Sequence, residues 1–209
     1  MSLPTPYSQE SYNKIYNLLF CDDPALFQFD KASPPYPWDI LMAPDPLKDQ
    51  LEKVALDIGV ESRLRLLAYK LMKKAGWHDE SKNLLGFVIE IGFDDGLDTL
   101  AVYKDGTARY INHKESMIVW DTPTIESDNI ILNIFKEGQS IVDRIGPWEG
   151  SRKGAPAFGM CRLTFLVSGD LYFGEGPFDE FQSDPMAGPV VAAATRMLVF
   201  LTDKALGKG

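Results

Sequence analysis

Hydrophobic positions change their spacing in blocks along this chain, and each block predicts an element. Tyr12, Ile15, Tyr16 and Leu19 recur at i, i+3, i+4 and i+7, the spacing of one helical face. Ser33-Pro34-Pro35-Tyr36-Pro37-Trp38 must run extended, because a residue before proline is pushed out of the helical region. Prolines interleaved with aromatics predict a segment laid over the body, so residues 1–44 read as an N-terminal arm. Asp45-Pro46 then opens a helix with Leu47, Leu51, Val54, Ala55 and Ile58 facing inward, and Gly59 stops it. Val60, Leu64, Leu67 and Leu71 line a second helix that ends at Gly76.

From Leu84 the chain turns β-forming. Leu84 to Phe93, residues 97–103, Ala108 to Asn112 and Ser116 to Trp120 are short β-forming runs. Asp94-Asp95-Gly96, Lys104-Asp105-Gly106-Thr107 and His113-Lys114-Glu115 separate them, turns of the length that joins antiparallel neighbours. These four strands predict a meander. Ile130, Ile134, Gly138, Ile141 and Ile145 mark one stripe of a following helix, capped at Ser127 or Asp128. Gly138 costs that helix up to about 1 kcal/mol relative to alanine, which predicts another element packed on its bare backbone. A loop over 146–159, a hairpin of Cys161 to Val167 and Asp170 to Phe173, a second loop over 174–188 and a nearly all-apolar helix over 190–206 complete the chain.

The expected fold is α+β: a single domain over 45–209, with an antiparallel sheet (the four-strand meander plus a hairpin) packed against helices and preceded by the arm. The succession meander, helix, hairpin, helix resembles that of profilin-like and roadblock-like α/β/α domains. That likeness is one of element order and carries no residue motif.

Composition narrows the function. With 209 residues, 45% of them hydrophobic, the chain can fill one core and should fold to an accessible surface of about 10,000 Å². Against 21 Lys and Arg stand 30 Asp and Glu, a net charge of −9, which excludes the basic face of a nucleic-acid binder. The acidity lies within residues 1–150, whereas 151–209 carries 6 basic and 6 acidic groups. The most apolar stretch, Pro189 to Leu201, contains Arg196 and is too short to span a bilayer. The first six residues lack the basic and apolar regions of a signal peptide. Cys21 and Cys161 stand far apart with no Cys-x-x-Cys, so buried reduced thiols in a cytoplasmic protein are expected, with no membrane and no nucleic acid as partner.

Familiar catalytic motifs are missing: no phosphate loop, no Gly-x-Gly-x-x-Gly after a strand and no Gly-x-Ser-x-Gly elbow. Two histidines, His78 and His113, are too few and too far apart for a histidine metal centre, so neither metal nor cofactor is expected and no catalytic residue is assignable. His78 follows a helix end and reads as a surface residue. The loop from Gly146 to Pro156 holds the only adjacent Arg-Lys pair. Its glycines let backbone N–H groups converge on an anion, and an indole can cover a ring. The candidate ligand-binding residues are therefore Trp148, Gly150, Arg152, Lys153 and Gly154, with Arg109 and His113 as helpers. In the second loop Glu175, Asp179, Glu180 and Asp184 offer carboxylates for acid–base work or a divalent cation.

Two functions follow from this balance. The first is a non-enzymatic protein–protein interaction or regulatory domain, adaptor- or immunity-like, with a protein partner; it predicts a contiguous exposed apolar or acidic patch. The alternative is a small anionic metabolite-binding protein or enzyme using the Gly150–Gly154 loop, which predicts a pocket between that loop and the sheet.

Overall fold

The meander and the hairpin join in one sheet. In the computed structural model, which describes residues 3–29, 33–77 and 80–207, the strands are β1 (Leu84–Phe93), β2 (Gly96–Tyr103), β3 (Ala108–Ile111), β4 (Met117–Trp120), β5 (Met160–Val167) and β6 (Asp170–Pro177). Every neighbouring pair is antiparallel, in the order β4-β3-β2-β1-β5-β6. The fold is thus α+β with a single antiparallel sheet. Side chains alternate between the two sides of each strand, and helices cover both sides. His78 lies outside the described residues.

One side carries α1 (Glu10–Leu18), α2 (Trp38–Leu41), α3 (Lys48–Leu56) and α4 (Ser62–Lys74). Tyr16, Leu19, Leu51 and Leu67 bury there against Val88, Ala101 and Tyr103 of the sheet. The N-terminal arm therefore supplies much of this layer rather than lying over a finished one. Helix α3 stops at Leu56, so Ile58, which the stripe places inward, falls in the following turn and is 88% exposed.

The other side carries α5 (Ile125–Val142) and α7 (Gly188–Ala205), packed on each other and on Phe87, Leu100, Leu163 and Phe165. Thr124 caps α5, its hydroxyl accepting the Ser127 N–H at 3.2 Å, and Ser127 returns a bond as acceptor to the Thr124 N–H at 2.8 Å. A Cβ on Gly138 would lie 3.0 Å from Leu84 and 3.2 Å from Phe165, so the glycine lets α5 settle onto β1 and β5. The stretch expected as a second loop is mostly ordered: β6 continues through Gly174–Pro177 on the β5 ladder, and a short helix, α6 (Phe178–Ser183), follows.

Both cysteines are free and buried, and burial pushes the Cys161 thiol up to about 12. The exposed surface is 10745 Å², close to the scaling expectation. Among the described residues, no helix is long and apolar enough to cross a membrane.

Candidate functional site

Pairing in the sheet sets a row of polar residues across four strands on the α1 side. Thr99 of β2 faces Glu90 of β1, Glu90 faces Arg162 of β5, and Arg162 faces Glu175 of β6. Three of these four are buried, Glu90 completely. A buried polar group costs free energy unless it is hydrogen-bonded, so the covering segments must supply partners. The arm does so from above: the Tyr7 hydroxyl donates to Thr99 at 2.9 Å and the Tyr16 hydroxyl to Glu90 at 2.7 Å. Arg162 donates to Glu175 at 2.7 Å and to the Gly154 carbonyl at 2.7 Å, and reaches Glu90 only at 3.4 Å. Burial raises the Glu90 pKa and outweighs the opposing pull of Arg162, which fits that longer contact.

The loop expected to bind an anion forms the rest of this cover as a strap over 146–159. Trp148 packs edge-on against Phe173 with ring centres 4.8 Å apart, and its backbone N–H donates to the Leu171 carbonyl at 2.7 Å. Arg152 turns inward, bonding Asp22 and Asn17 of the arm at 2.6 Å each and lying 4.2 Å from the Phe20 ring centre. The void it shares with Glu90 and Arg162 measures about 10 Å³, room for about one water. Lys153 lies over the rings of Trp148 and Phe173. Gly154 contributes a carbonyl to Arg162, and Gly150 takes the edge of the Trp148 indole where a Cβ would stand.

Arg109 and His113 are not brought to that strap. Arg109 donates to the Trp120 carbonyl at 3.2 Å and pairs with Asp121 at 2.6 Å, at the β3–β4 edge. The His113 ring sits at the β3–β4 turn with Nδ1 2.8 Å from Asp98 Oδ1. A carboxylate only accepts, so Nδ1 carries the proton in this contact. Asp98 also accepts the His113 backbone N–H and the Tyr110 hydroxyl, each at 2.7 Å, and burial, ahead of the Asp98 bond, raises the Tyr110 pKa. Glu115 in the same turn accepts the N–H groups of Ser8 (2.6 Å) and Gln9 (3.2 Å), placing a carboxylate at the N-terminus of α1. One turn thereby ties the start of α1 to the sheet.

Asp98 also opens onto an apolar cleft of about 400 Å³ between α7 and one end of the sheet. Ile89, Ile91 and Leu100 form its floor, and Phe158, Phe178 and Leu198 its sides. Its polar groups are few: Asp98, Asp179 and Thr195. Gly92 lets the strap reach this point, because a Cβ there would collide with the carbonyl oxygens of Ala157 and Pro156. The strap then bonds β1 through Gly159 N–H to the Gly92 carbonyl at 3.0 Å, leaving Phe158 67% exposed at the cleft mouth beside Phe93 at 39%. The two expected loops therefore meet twice: the Gly154 carbonyl and Glu175 share Arg162 on the α1 side, and Phe158 and Phe178 share the cleft on the α7 side, where the Phe178 N–H donates to the Gly159 carbonyl at 2.9 Å. Of the second loop's carboxylates, Glu175 pairs with Arg162, and Asp184 accepts the Met186 and Ala187 N–H groups at 2.8 and 2.6 Å.

Sequence reasoning singled out neither the polar row nor the cleft. A charged residue inside each apolar run, Glu90 in Leu84–Phe93 and Arg162 in Met160–Val167, was the available signal for the row. The cleft draws its walls from five separate segments and had none. Compared with family models, curated proteins and solved structures, the chain matches none.

Proposed function

We propose that this protein is a non-enzymatic interaction domain, adaptor- or immunity-like, that receives an apolar segment of a partner protein in the cleft beside α7. The observation that carries this reading is the cleft itself: about 400 Å³, apolar-walled and open, with Phe93 and Phe158 exposed at its mouth. Concave apolar sites that bury an aromatic or aliphatic anchor supply most of the energy of compact interfaces. The polar groups nearby are already committed, since Asp98 accepts three hydrogen bonds that hold the β3–β4 turn. The anion-binding alternative asks Arg152 to leave Asp22 and Asn17, whereas the cleft reading asks nothing to move.

Site-specific photocrosslinking tests it in cells that make the protein at native level. A photoreactive residue replacing Phe158 should yield a discrete protein adduct, and one replacing Ile58, exposed in the α3–α4 turn, should not. The absence of an adduct at 158, or the same set of adducts at both positions, would overturn the reading.

A further inference from the structure

The cleft has an acidic surround and no cation in its wall. Asp98 and Asp179 line it, Asp94 and Asp95 follow Phe93 in the exposed β1–β2 turn, and Glu180 follows Asp179. No Lys or Arg lines the cleft. Asp94, Asp95, Asp179 and Glu180 form no ion pair among the described residues, whereas most charged side chains buried elsewhere in the fold are paired. Carboxylates in the wall and next to it in sequence, with no Lys or Arg in the lining, make the cleft complementary to a cationic group on an incoming segment.

Resting on the interaction reading above, we infer that the partner segment is basic as well as apolar: one aromatic or branched aliphatic anchor for the cleft, flanked by Lys or Arg that meet the rim. The charge selects against the other occupants of an apolar cleft. A second copy of this chain, at net charge −9, would set acid against acid. A fatty acid or another apolar anion would bring its carboxylate toward Asp98 and Asp179. A basic partner gains rate and specificity from the complementary field, and its anchor gains affinity from the cleft.

Selection of a displayed random peptide library on the full-length chain tests this, followed by fluorescence anisotropy of the enriched peptides at low and high salt. Two variants accompany it. One neutralises the rim (Asp94→Asn, Asp95→Asn, Asp179→Asn, Glu180→Gln), and the other fills the cleft from an exposed helical position (Thr195→Trp). Circular dichroism and a thermal melt establish that each is folded, and Phe158→Ser, at an exposed strap position, replaces Thr195→Trp if that variant is not. The expected peptides carry an apolar anchor with neighbouring Lys or Arg. Their binding should weaken at least tenfold on the filled cleft, and on the rim variant and at high salt by about tenfold. Enriched peptides that are apolar without basic residues, and bind the rim variant as tightly, would overturn this inference and leave the interaction reading standing. Peptides that bind the filled cleft as tightly as the natural one would overturn both.

Discussion

Glu90 has no exposed surface, and burial makes it bind a proton more readily in the folded chain than in the unfolded one. A raised carboxyl pKa contributes stability that is complete below the ordinary value of 4.5 and is lost as pH rises through the folded value. Glu115 does the reverse. Its pKa is lowered, chiefly by the Ser8 hydroxyl, so its contribution is present above 4.5 and is lost as pH falls through the depressed value. Urea midpoints measured from about pH 3 to pH 8 separate the two. Glu90→Gln should gain stability relative to the natural chain as pH rises above 4.5, and a constant gap would show that Glu90 titrates normally. Glu115→Gln should flatten the loss of stability below 4.5. At Gly92 the constraint is steric: Gly92→Ala has to push the strap off β1 and should cost about 2 kcal/mol, read from the same melts. If it costs nothing, the carbonyls of Pro156 and Ala157 yield freely and the cleft wall is soft.

At the scale of elements, Arg152 is the rivet between strap and arm. It joins Asp22 and Asn17 to a segment that otherwise reaches the sheet through Trp148, the carbonyls around Gly154 and the Gly159 bond to Gly92. Arg152→Ala should cost about 3 kcal/mol, since it leaves Asp22 charged and largely buried. A double-mutant cycle with Asp22→Ala should return much of that as coupling energy, and amide exchange in α1 should quicken in the single mutant. Additive losses with unchanged exchange in α1 would mean that the strap holds without this pair. The strap also shows which elements could be read from sequence. Asp-Gly turns and short β-forming runs made the meander legible, because both act over a few neighbours. Gly138 announced a close approach, and Leu84 and Phe165 supply it. The extension of β6 through Gly174–Pro177 was not legible: glycines and a proline read as loop, and only the β5 ladder overrides them. Arg152 and Lys153 stood out by composition, yet whether a guanidinium faces solvent or an aspartate 130 positions away is decided by packing. His113 drew notice for the same reason, while its partner Asp98 was one carboxylate among thirty.

On the scale of the molecule, two apolar layers share one sheet. Leu67 sits in the layer with α1 and α4, Met197 in the layer with α5 and α7, and neither has exposed surface. Truncating either to alanine should cost about 3 kcal/mol by opening a cavity. What distinguishes one cooperative unit from two is where that loss is felt. The tryptophans provide separate reporters: Trp38 and Trp77 pack in the first layer and Trp120 in the second, edge-on to Phe200. Central strands β1 and β5 face both layers, so losing either cover exposes apolar strand surface that the other cannot hide. Chains that keep Trp38 alone or Trp120 alone should therefore unfold with the same midpoint in urea, and Leu67→Ala and Met197→Ala should each lower both midpoints together. A midpoint that moves only in the mutated layer would mean that the sheet can stand with one side bare. In that case the arm and its helices would be a separable cover, and the α7 side could present its cleft without them.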